Sequence, residues 1–520
     1  MMGVVVEVAS GRLSGVESEG VVSFKGVPYG ASTAGANRFL PPKQPAPWTG
    51  VREAAAYVAQ SPQSRLGFSR RPELEHLASP PDTTPESEDC LTLNVWMPSG
   101  DRARLRPVMV WLHGGAFSFG SSNSARLEGK SLCRHGEVVL VTVNQRLNIF
   151  GFLDLSETAG AEYALSGNAG TLDMLAALEW VADNIAVFGG DPGNVTIFGE
   201  SGGGAKVSTL MAMPRARGLF HRAIVQSGAA IRLRERERAL RLTEAVLREL
   251  GVGGGDIAAL QAVPQGRLLA AIAPATTAIG ASRWPLLDRY PFGPVLDGEL
   301  LPRQPFDPDA PEISAEIPLI VGDTKDEASL FLSDDDAVWN DTLTEEQLRE
   351  RLTPIAGGET DRVIATYRRL HPGTSPSRRL AATLTDCNFR IRSLLMAERR
   401  VRQRRAPVWM YSFGWETPAF GGRLGSPHAL DVPFTFDTVH LFSPDHTTAG
   451  AAALAAAMSG AWATFARTAR PDHGSLPYWP AYDGERRATM MLGETSRVED
   501  DPGGETRTLW REIVGAVSAL

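Results

Sequence analysis

The amino-acid sequence predicts an α/β protein built on a central, mostly parallel, doubly wound sheet. Three features of the 520-residue chain lead to this prediction. Continuous apolar runs are typical of strands that are buried on both faces of a parallel sheet. Helical patterns lie between these runs, as they do in doubly wound sheets. A shorter alternation near the N-terminus indicates an additional antiparallel portion.

The N-terminal residues 4–30 predict this antiparallel portion. Short apolar runs alternate there around Gly11, Gly15 and Gly20, which are suited to turns between strands. The first ten residues lack the basic region of a signal peptide, and their apolar run ends at Glu7. We therefore expect no secretion leader.

The parallel portion is expected from about residue 91, where the apolar runs become continuous. Apolar residues recur at helical spacing over 172–181, and Asp191–Asn194 predicts a turn ahead of the next strand. The runs that we expect to form parallel strands are Val108–Leu112, Val138–Val143, Val195–Phe198, Ala223–Val225, Pro318–Val321 and Val408–Phe413.

Further helices are expected in two insertions, residues 231–290 and 331–400, which we interpret as cap or regulatory helices. The Arg/Glu/Leu-rich stretch 231–250 predicts a solvated amphipathic helix. The uncharged stretch Thr447–Ala466 is long enough to span a bilayer, but alanine gives little driving force for insertion. We expect it to be a packed helix, and we expect residues 1–520 to form a single domain.

Composition argues against several classes of partner. The net charge of −8 disfavours nucleic acid and anionic membranes, because both bind basic surfaces. The three cysteines, Cys90, Cys133 and Cys387, are too few for a disulfide framework and form no metal-binding motif. We therefore expect a cytoplasmic protein with reduced thiols that needs no metal or organic cofactor. The oligomeric state stays open.

The chemical centre of the sequence is Gly199–Gly203, which reads GESGG and follows the apolar run Val195–Phe198. This is the GxSxG nucleophile elbow in its required context, a sharp turn between a strand and a helix. The turn requires small neighbours and exposes the serine hydroxyl at a helix N-terminus. The motif predicts an α/β-hydrolase fold with Ser201 as the nucleophile.

A serine nucleophile requires a base, an acid that orients the base, and donors for the oxyanion. In α/β-hydrolases the acid and then the histidine follow the serine along the chain. Asp323, Asp326 and Glu327 follow the predicted strand Pro318–Val321, and position alone does not choose among them.

Five histidines follow that loop: His371, His428, His440, His446 and His473. His428 is preferred because it lies in a Gly/Ser/Pro-rich loop between the strand Val408–Phe413 and the apolar Val432–Phe434. The oxyanion donors are expected in the glycine-rich loop His113–Phe117 and at the N–H of Gly202, because small residues let backbone amides approach the substrate.

The sequence resembles the type B carboxylesterase family, which includes cholinesterases and bacterial p-nitrobenzyl esterases. The resemblance runs nearly from end to end, and such a set of motifs in the family order is very specific. The segments that carry it are Phe24–Tyr29, Ser87–Val95, Phe198–Gly204, Gln226–Gly228, Phe292–Gly298 and Trp479–Tyr482.

The resemblance implies a role for each candidate residue. Lys325–Glu327 is similar to the family's Lys-Asp-Glu, which selects Glu327 as the acid, and the same comparison gives His428 the role of the base. It also implies that Glu200 and Ser227 lie near the histidine, where a carboxylate would stabilise the imidazolium. The oxyanion donors that it implies are the backbone N–H groups of Gly115, Ala116 and Gly202.

The sequence departs from the family pattern at three positions. Gly202 stands where the family usually has alanine, and Asp431 stands where it usually has glutamate. Ser61 stands where many secreted members have a cysteine that pairs with the one at position 90. The last departure agrees with an intracellular protein.

These observations predict a serine carboxylic ester hydrolase that acts through an acyl-enzyme on small apolar alkyl or aryl esters. Carbamate, lactone or amide hydrolysis and acyl transfer by the same triad stay open. A non-catalytic binding protein of the same fold is a remote alternative, since the serine, glutamate and histidine are all retained. The apolar residues expected to line the substrate pocket are Phe117, Phe119, Trp284, Leu330 and Phe331.

Overall fold

Thirteen strands form one sheet in the computed structural model, which describes residues 3–64, 71, 74, 82–280, 290–441 and 446–516. The strands are β1 (Val4–Val8), β2 (Gly11–Ser18), β3 (Val21–Pro28), β4 (Val51–Glu53), β5 (Thr92–Pro98), β6 (Arg106–Leu112), β7 (Val139–Val143), β8 (Gly190–Glu200), β9 (Arg222–Gln226), β10 (Leu319–Thr324), β11 (Val408–Phe413), β12 (Ala488–Leu492) and β13 (Arg497–Asp500).

The strand order is β1-β2-β3-β5-β7-β6-β8-β9-β10-β11-β12-β13, and β4 pairs with β2. Seven consecutive strands in this order are parallel to one another, namely β7, β6, β8, β9, β10, β11 and β12. The pairs β1–β2, β2–β3, β3–β5 and β5–β7 are antiparallel. The mostly parallel sheet and its N-terminal antiparallel portion, both predicted from the sequence, are therefore confirmed.

Burial explains why the two portions have different sequence patterns. Every residue of β6, β7, β10 and β11 is buried, so these strands are continuous apolar runs or nearly so. Neighbouring residues of β6 enter two different hydrophobic clusters, Val108 and Val110 on one face and Met109 and Trp111 on the other. Helices cover both faces, as in a doubly wound sheet.

The α-helices lie mainly between the strands of the parallel portion and after β10. Two consecutive helices, Pro376–Thr385 and Ile391–Arg402, are joined by the π-helical segment Asp386–Arg390. The helices are α1 (Lys130–Gly136), α2 (Asn148–Phe152), α3 (Ala169–Asn184), α4 (Gly202–Met211), α5 (Arg236–Leu250), α6 (Ile257–Ala262), α7 (Gln265–Ala278), α8 (Ala328–Phe331), α9 (Asp336–Trp339), α10 (Glu345–Ala356), α11 (Thr360–Leu370), α12 (Pro376–Thr385), α13 (Ile391–Arg402), α14 (Val432–Phe436), α15 (Ala449–Thr468) and α16 (Gly504–Ala516).

Helix α15 is long and apolar enough to cross a membrane by length and composition. It packs on the sheet, and 61% of its most apolar window is buried inside the protein. Trp462 of this helix is fully buried, and its Nε1–H donates to Oε1 of Gln226 at 3.1 Å. The helix is thus the packed helix that the sequence predicts.

One prediction of local structure is wrong. The turn expected at Asp191–Asn194 lies inside β8 as a bulge, because Arg106 pairs with Gly190 whereas Val108 pairs with Val195. The turn chemistry is satisfied within the bulge, where Oδ1 of Asp191 accepts the N–H of Gly193 at 2.9 Å. Because β8 resumes its pairing with β6 after these residues, they form a bulge within the strand and not a turn between two elements.

The three cysteines are free and buried. Burial raises the pKa of the Cys90 thiol to about 12 and also raises the pKa of the other two. The thiols are therefore protonated and unreactive in the folded protein.

Candidate active site

Ser201 occupies the sharp turn between β8 and α4. Its backbone has φ 55° and ψ −120°, a conformation that residues other than glycine rarely adopt. The N–H of Ser201 donates to the carbonyl of Gln226 at 2.8 Å. A Cβ on Gly228 would overlap the Ser201 carbonyl, so close packing fixes the turn. The structure thus forms the strand–turn–helix context that the GxSxG motif predicts.

His428 and Glu327 meet in the interior, 101 positions apart in the chain. Nδ1 of His428 hydrogen-bonds to Oε2 of Glu327, and neither side chain is exposed. The second oxygen of Glu327, Oε1, accepts the N–H of Thr324 at 2.8 Å. Glu327 is therefore anchored to the end of β10, and its bond to Nδ1 fixes the orientation of the His428 ring.

The other two acid candidates face different partners. Asp323 pairs with Arg390, whose Nε lies 3.3 Å from Oδ1 of the carboxylate. Oδ2 of Asp326 accepts the N–H of Ser426 at 2.9 Å, so this carboxylate supports the loop of the histidine rather than its ring. Contact with His428 therefore distinguishes Glu327 from its neighbours.

The other candidate histidines contact groups away from this centre. Nε2 of His446 lies 2.7 Å from Oγ1 of Thr417, and the ring of His371 stacks on Tyr367. His473 lies beside Gly460 of α15, and His440 is exposed.

Two more carboxylates lie around the imidazole. Oε1 of Glu200 is 3.2 Å from Nε2 of His428, and Glu200 is only 3% exposed. Asp431 is fully buried, and its Oδ2 accepts hydrogen bonds from Gln226 and Tyr411, each at 2.9 Å. The proximity of Glu200 to the histidine agrees with the sequence prediction, and Asp431 supports the site through neighbouring side chains.

The carboxylates control the protonation of this cluster. Burial opposes the charged form of His428, but Glu200 and Glu327 outweigh it and raise its pKa to about 9. Burial raises the pKa of Glu200 to about 8 and that of Asp431 to about 6. Because these groups interact at close range, their titrations are coupled and belong to the cluster as a whole.

The glycine-rich segment His113–Phe117, here called the oxyanion loop, follows β6. Gly115 and Ala116 have φ 90° and 54°. Within the part of the chain that the structure describes, the N–H groups of Gly115, Ala116 and Gly202 donate no hydrogen bond. A Cβ on Gly202 would overlap the backbone of Ala116, so the first turn of α4 lies in close contact with the loop. The loop and the first turn of α4 thus bring together the donors that an oxyanion requires.

An aromatic pair lies against the histidine ring. The rings of Phe331 and Phe389 are 4.9 Å and 5.1 Å from His428 and stack on each other at 5.7 Å. Phe331 was predicted from its position after Glu327, whereas Phe389 was missed. It lies in the π-helical segment Asp386–Arg390, and such insertions occur often at functional sites but have no residue signature.

The remaining predicted residues have mixed locations. Phe117 and Phe119 are half-buried and each packs on another aromatic ring, and Leu330 is half-buried on α8. Trp284 lies outside the described residues. Ser227 follows β9 with φ 50°, and its N–H donates to the carbonyl of Gly322 at 2.8 Å.

No group of three or more histidine, cysteine or acidic side chains in the described ranges is arranged to hold a metal ion. The arrangement that is present, a serine at a helix N-terminus with a carboxylate-paired histidine and backbone donors, is suited to acyl transfer.

Comparison with known proteins agrees with this chemistry. The sequence pattern of the carboxylesterase family matches residues 3–510. The chain belongs to the carboxylesterase family. It is 36% identical over 512 residues to the para-nitrobenzyl esterase of Bacillus subtilis (strain 168), which covers 97% of each chain. It is 33% identical over 498 residues to the phenmedipham hydrolase of Pseudarthrobacter oxydans, covering 94% of this chain and 95% of the relative.

A solved carboxylesterase structure has the same overall fold. The crystal structure of a Geobacillus stearothermophilus carboxylesterase is similar with a TM-score of 0.84 and 39% identity. The similarity covers 97% of this chain and 99% of that one. This carboxylesterase is therefore a serine carboxylic ester hydrolase of the α/β-hydrolase fold, as the sequence resemblance implies.

Proposed function

We propose that this carboxylesterase cleaves small apolar alkyl or aryl esters through an acyl-enzyme formed on Ser201. The observation that carries the proposal is the fully buried His428, which binds Glu327 through Nδ1 and directs Nε2 toward Oε1 of Glu200, the residue before Ser201. A buried imidazole with one nitrogen fixed by a carboxylate is the base that a serine nucleophile needs.

The proposed reaction has two stages. Ser201 attacks the ester carbonyl while His428 takes the hydroxyl proton, and the N–H groups of Gly115, Ala116 and Gly202 stabilise the oxyanion. His428 then gives the proton to the leaving alcohol, which departs and leaves the acyl group on Ser201. Water then attacks the acyl-enzyme while His428 takes its proton. His428 returns this proton to the Ser201 oxygen as the carboxylic acid departs. Glu327 keeps the ring oriented and stabilises its charged form throughout.

The preference for apolar substrates is supported by the rings around the histidine. Phe331 and Phe389 contact the imidazole, and Phe117 lies beside the oxyanion donors. Such a surface favours groups without charge, because a charged group would lose hydration there without a partner. The name of one relative, a para-nitrobenzyl esterase, supports esters that carry an aromatic ring.

We also propose that the described residues of the two insertions, 231–280 and 290 in the first and 331–400 in the second, supply the walls of the substrate entrance, within one domain. The packing of Phe117 in the same cluster as α5 and α7 supports the first wall. The contacts of Phe331 and Phe389 with His428 support the second. An intracellular location is supported by the three free thiols.

Covalent labelling tests the nucleophile. Diethyl p-nitrophenyl phosphate should form one adduct per chain, and peptide mass spectrometry should locate it on Ser201. Ser201→Ala should abolish the adduct and lower kcat by about 10³-fold or more with an unchanged circular dichroism spectrum. Ser23→Ala, which replaces a serine on β3, should keep the wild-type adduct formation and the wild-type kcat. An adduct on another residue would refute the proposed mechanism.

A panel of p-nitrophenyl esters of increasing acyl length, together with benzyl and charged esters, tests the substrate class. The uncharged members should be cleaved with the higher kcat/KM. A preference for charged esters would refute the apolar pocket while leaving the triad intact.

A further inference from the structure

Lys206 is a buried lysine close to Ser201 in the chain, and the proposed reaction does not use it. It lies on α4, five positions after Ser201, and its side chain is fully buried. Its Nζ donates to the carbonyl of His113 at 2.8 Å. His113 is the first residue of the oxyanion loop, so this hydrogen bond joins the nucleophile helix directly to the loop.

Burying this ammonium costs folding free energy. Among the described residues, no carboxylate forms an ion pair with Lys206, and its hydrogen-bond acceptor is a backbone carbonyl. Burial accordingly lowers the pKa of Lys206 to about 7. An apolar side chain of similar length would fill the same space without this cost. The arrangement therefore indicates a role beyond packing.

The loop has no comparable side-chain link to α4 in the part of the chain that the structure describes. Elsewhere α4 approaches the loop and the end of β6 through glycines, because a Cβ on Gly202 would overlap Ala116 and one on Gly203 would overlap the carbonyl of Leu112, the last residue of β6. Such packing prevents the loop from moving inward but does not hold it there. The hydrogen bond from Lys206 on α4 to the His113 carbonyl supplies the attraction that these glycine contacts lack.

Other contacts fix the loop at its two ends. At the first end, Nε2 of His113 lies 2.8 Å from Nε2 of Gln145, so the ring and the carbonyl of His113 are held by separate partners. At the other end, the N–H of Asn148 donates to the carbonyl of Phe117 at 2.6 Å. Gly115 and Ala116, whose N–H groups donate no hydrogen bond among the described residues, lie between these fixed points.

The neighbouring groups leave Nζ of Lys206 as the donor of this contact, since both an ammonium and a neutral amine carry N–H groups. Burial and the positive charge of Lys206 lower the pKa of His113 well below its usual value, so the imidazole is neutral. Nζ of Lys206 also lies 5.7 Å from the ring centroid of Phe117, the last residue of the loop. Nζ of Lys206 thus lies against the loop at both its first and its last residue.

We propose that Lys206 is a positioning residue that holds the oxyanion loop against α4 through the His113 carbonyl, so that the N–H groups of Gly115 and Ala116 meet the developing oxyanion. The inference rests on the proposed function, because the loop acts only if Ser201 attacks a carbonyl. Loss of the anchor should weaken binding of the transition state more than binding of the ester.

Lys206→Met tests the proposal, because methionine fills the space but donates no hydrogen bond. We expect kcat for a p-nitrophenyl ester to fall about 10- to 100-fold while KM changes less than about twofold. Inhibition by an aryl trifluoromethyl ketone, which forms a tetrahedral oxyanion on the serine, should weaken by the same factor as kcat/KM. Unchanged kcat/KM, or a fall in kcat without weaker ketone binding, would overturn the proposal.

Ser208→Ala is the matched control. Ser208 is also fully buried on α4, but its Oγ bonds to Gly204 and Ala230 rather than to the loop. This variant should lose stability and keep kcat, and an equal fall in kcat would overturn the role of Lys206. If Lys206→Met does not fold, Lys206→Gln replaces it, since its shorter side chain cannot reach the carbonyl. Failure of both variants to fold would show a structural role and refute positioning.

The proposed function is checked separately in the same experiment. Wild-type protein is labelled first with diethyl p-nitrophenyl phosphate, and an adduct away from Ser201 would refute the nucleophile whatever Lys206 does. Labelling of Ser201 with unchanged kinetics in Lys206→Met would refute the positioning role alone.

Discussion

In the parallel strands β6, β7, β10 and β11 every residue is buried, whereas buried and exposed residues alternate in the antiparallel β1 and β2. The same division separates the chemistry. The oxyanion loop follows β6, Ser201 follows β8, Glu327 follows β10 and the loop of His428 follows β11. Parallel strands bring their carboxyl ends to one edge of the sheet, which is where ligands bind in such folds. We infer that the parallel part carries catalysis and the antiparallel part carries stability.

The largest effect should come from the end of β10. Glu327→Gln removes the charge that stabilises the imidazolium and should lower kcat by about 10³- to 10⁴-fold. The Thr324 N–H still has an oxygen acceptor in the amide, so we expect the thermal midpoint to change little. Steady-state kinetics and thermal melting check the two expectations, and a loss below about tenfold would contradict the comparison.

In the antiparallel part we expect a large loss in the free energy of unfolding without a loss of catalysis. Phe24 of β3 is fully buried and packs edge-on against Phe188 at 5.0 Å. Phe24→Ala should lower the free energy of unfolding by about 3–5 kcal/mol, because it leaves a cavity. Urea denaturation measures this loss, and kcat per titrated site should stay unchanged.

Val5→Ala is the control for that variant, since Val5 on β1 is 45% exposed. It should change the free energy of unfolding by less than about 0.5 kcal/mol. A lower kcat in Phe24→Ala would show that the two parts of the sheet are less separate than inferred.

A smaller catalytic effect is expected where α4 meets the oxyanion loop. Gly202→Ala introduces the residue that the family resemblance leads us to expect at this position, but its Cβ would overlap the backbone of Ala116. The loop must move, so kcat should fall about tenfold. Gly450→Ala on α15, where a Cβ would meet nothing within 4 Å, should leave kcat unchanged. Wild-type kcat in Gly202→Ala would show that the loop adapts freely.

The smallest expected effect is a shift in pH dependence. His428 must be neutral to accept a proton, so its raised pKa places the acid limb of kcat/KM above the ordinary imidazole value of about 6.5. Glu200→Gln removes a negative charge beside Nε2, which lowers the pKa of His428 and moves the acid limb to lower pH by about one unit.

Rate profiles between pH 5 and 9 would check this shift, with Glu53→Gln on β4 as the control. An acid limb that does not move in Glu200→Gln would indicate that Glu200 is already neutral when His428 titrates. In that case the charge on Glu327 accounts for the raised pKa of His428.

The sequence predicts the parallel strands well because burial on both faces leaves continuous apolar runs, as in β6 and β11. It does not predict that Asp191–Asn194 stays within β8, because a bulge and a turn use the same residues. Pairing with a neighbouring strand, which local sequence does not contain, decides between them.

The same limit applies to the site. The elbow serine is recognisable locally, because a sharp strand-to-helix turn needs small residues at fixed spacing. Position after the strand does not separate Asp323, Asp326 and Glu327. The family resemblance selects Glu327, and in the structure its contact with a histidine 101 positions away distinguishes it. Lys206 has the appearance of an ordinary helix lysine until the fold shows that it is buried.

Modification of the three buried thiols can be used to measure unfolding of the enzyme. A maleimide or disulfide reagent needs a thiolate, and in the native protein burial keeps Cys90, Cys133 and Cys387 both shielded and protonated. Modification then waits for the chain to open, so its rate reports how often that happens without any engineered label.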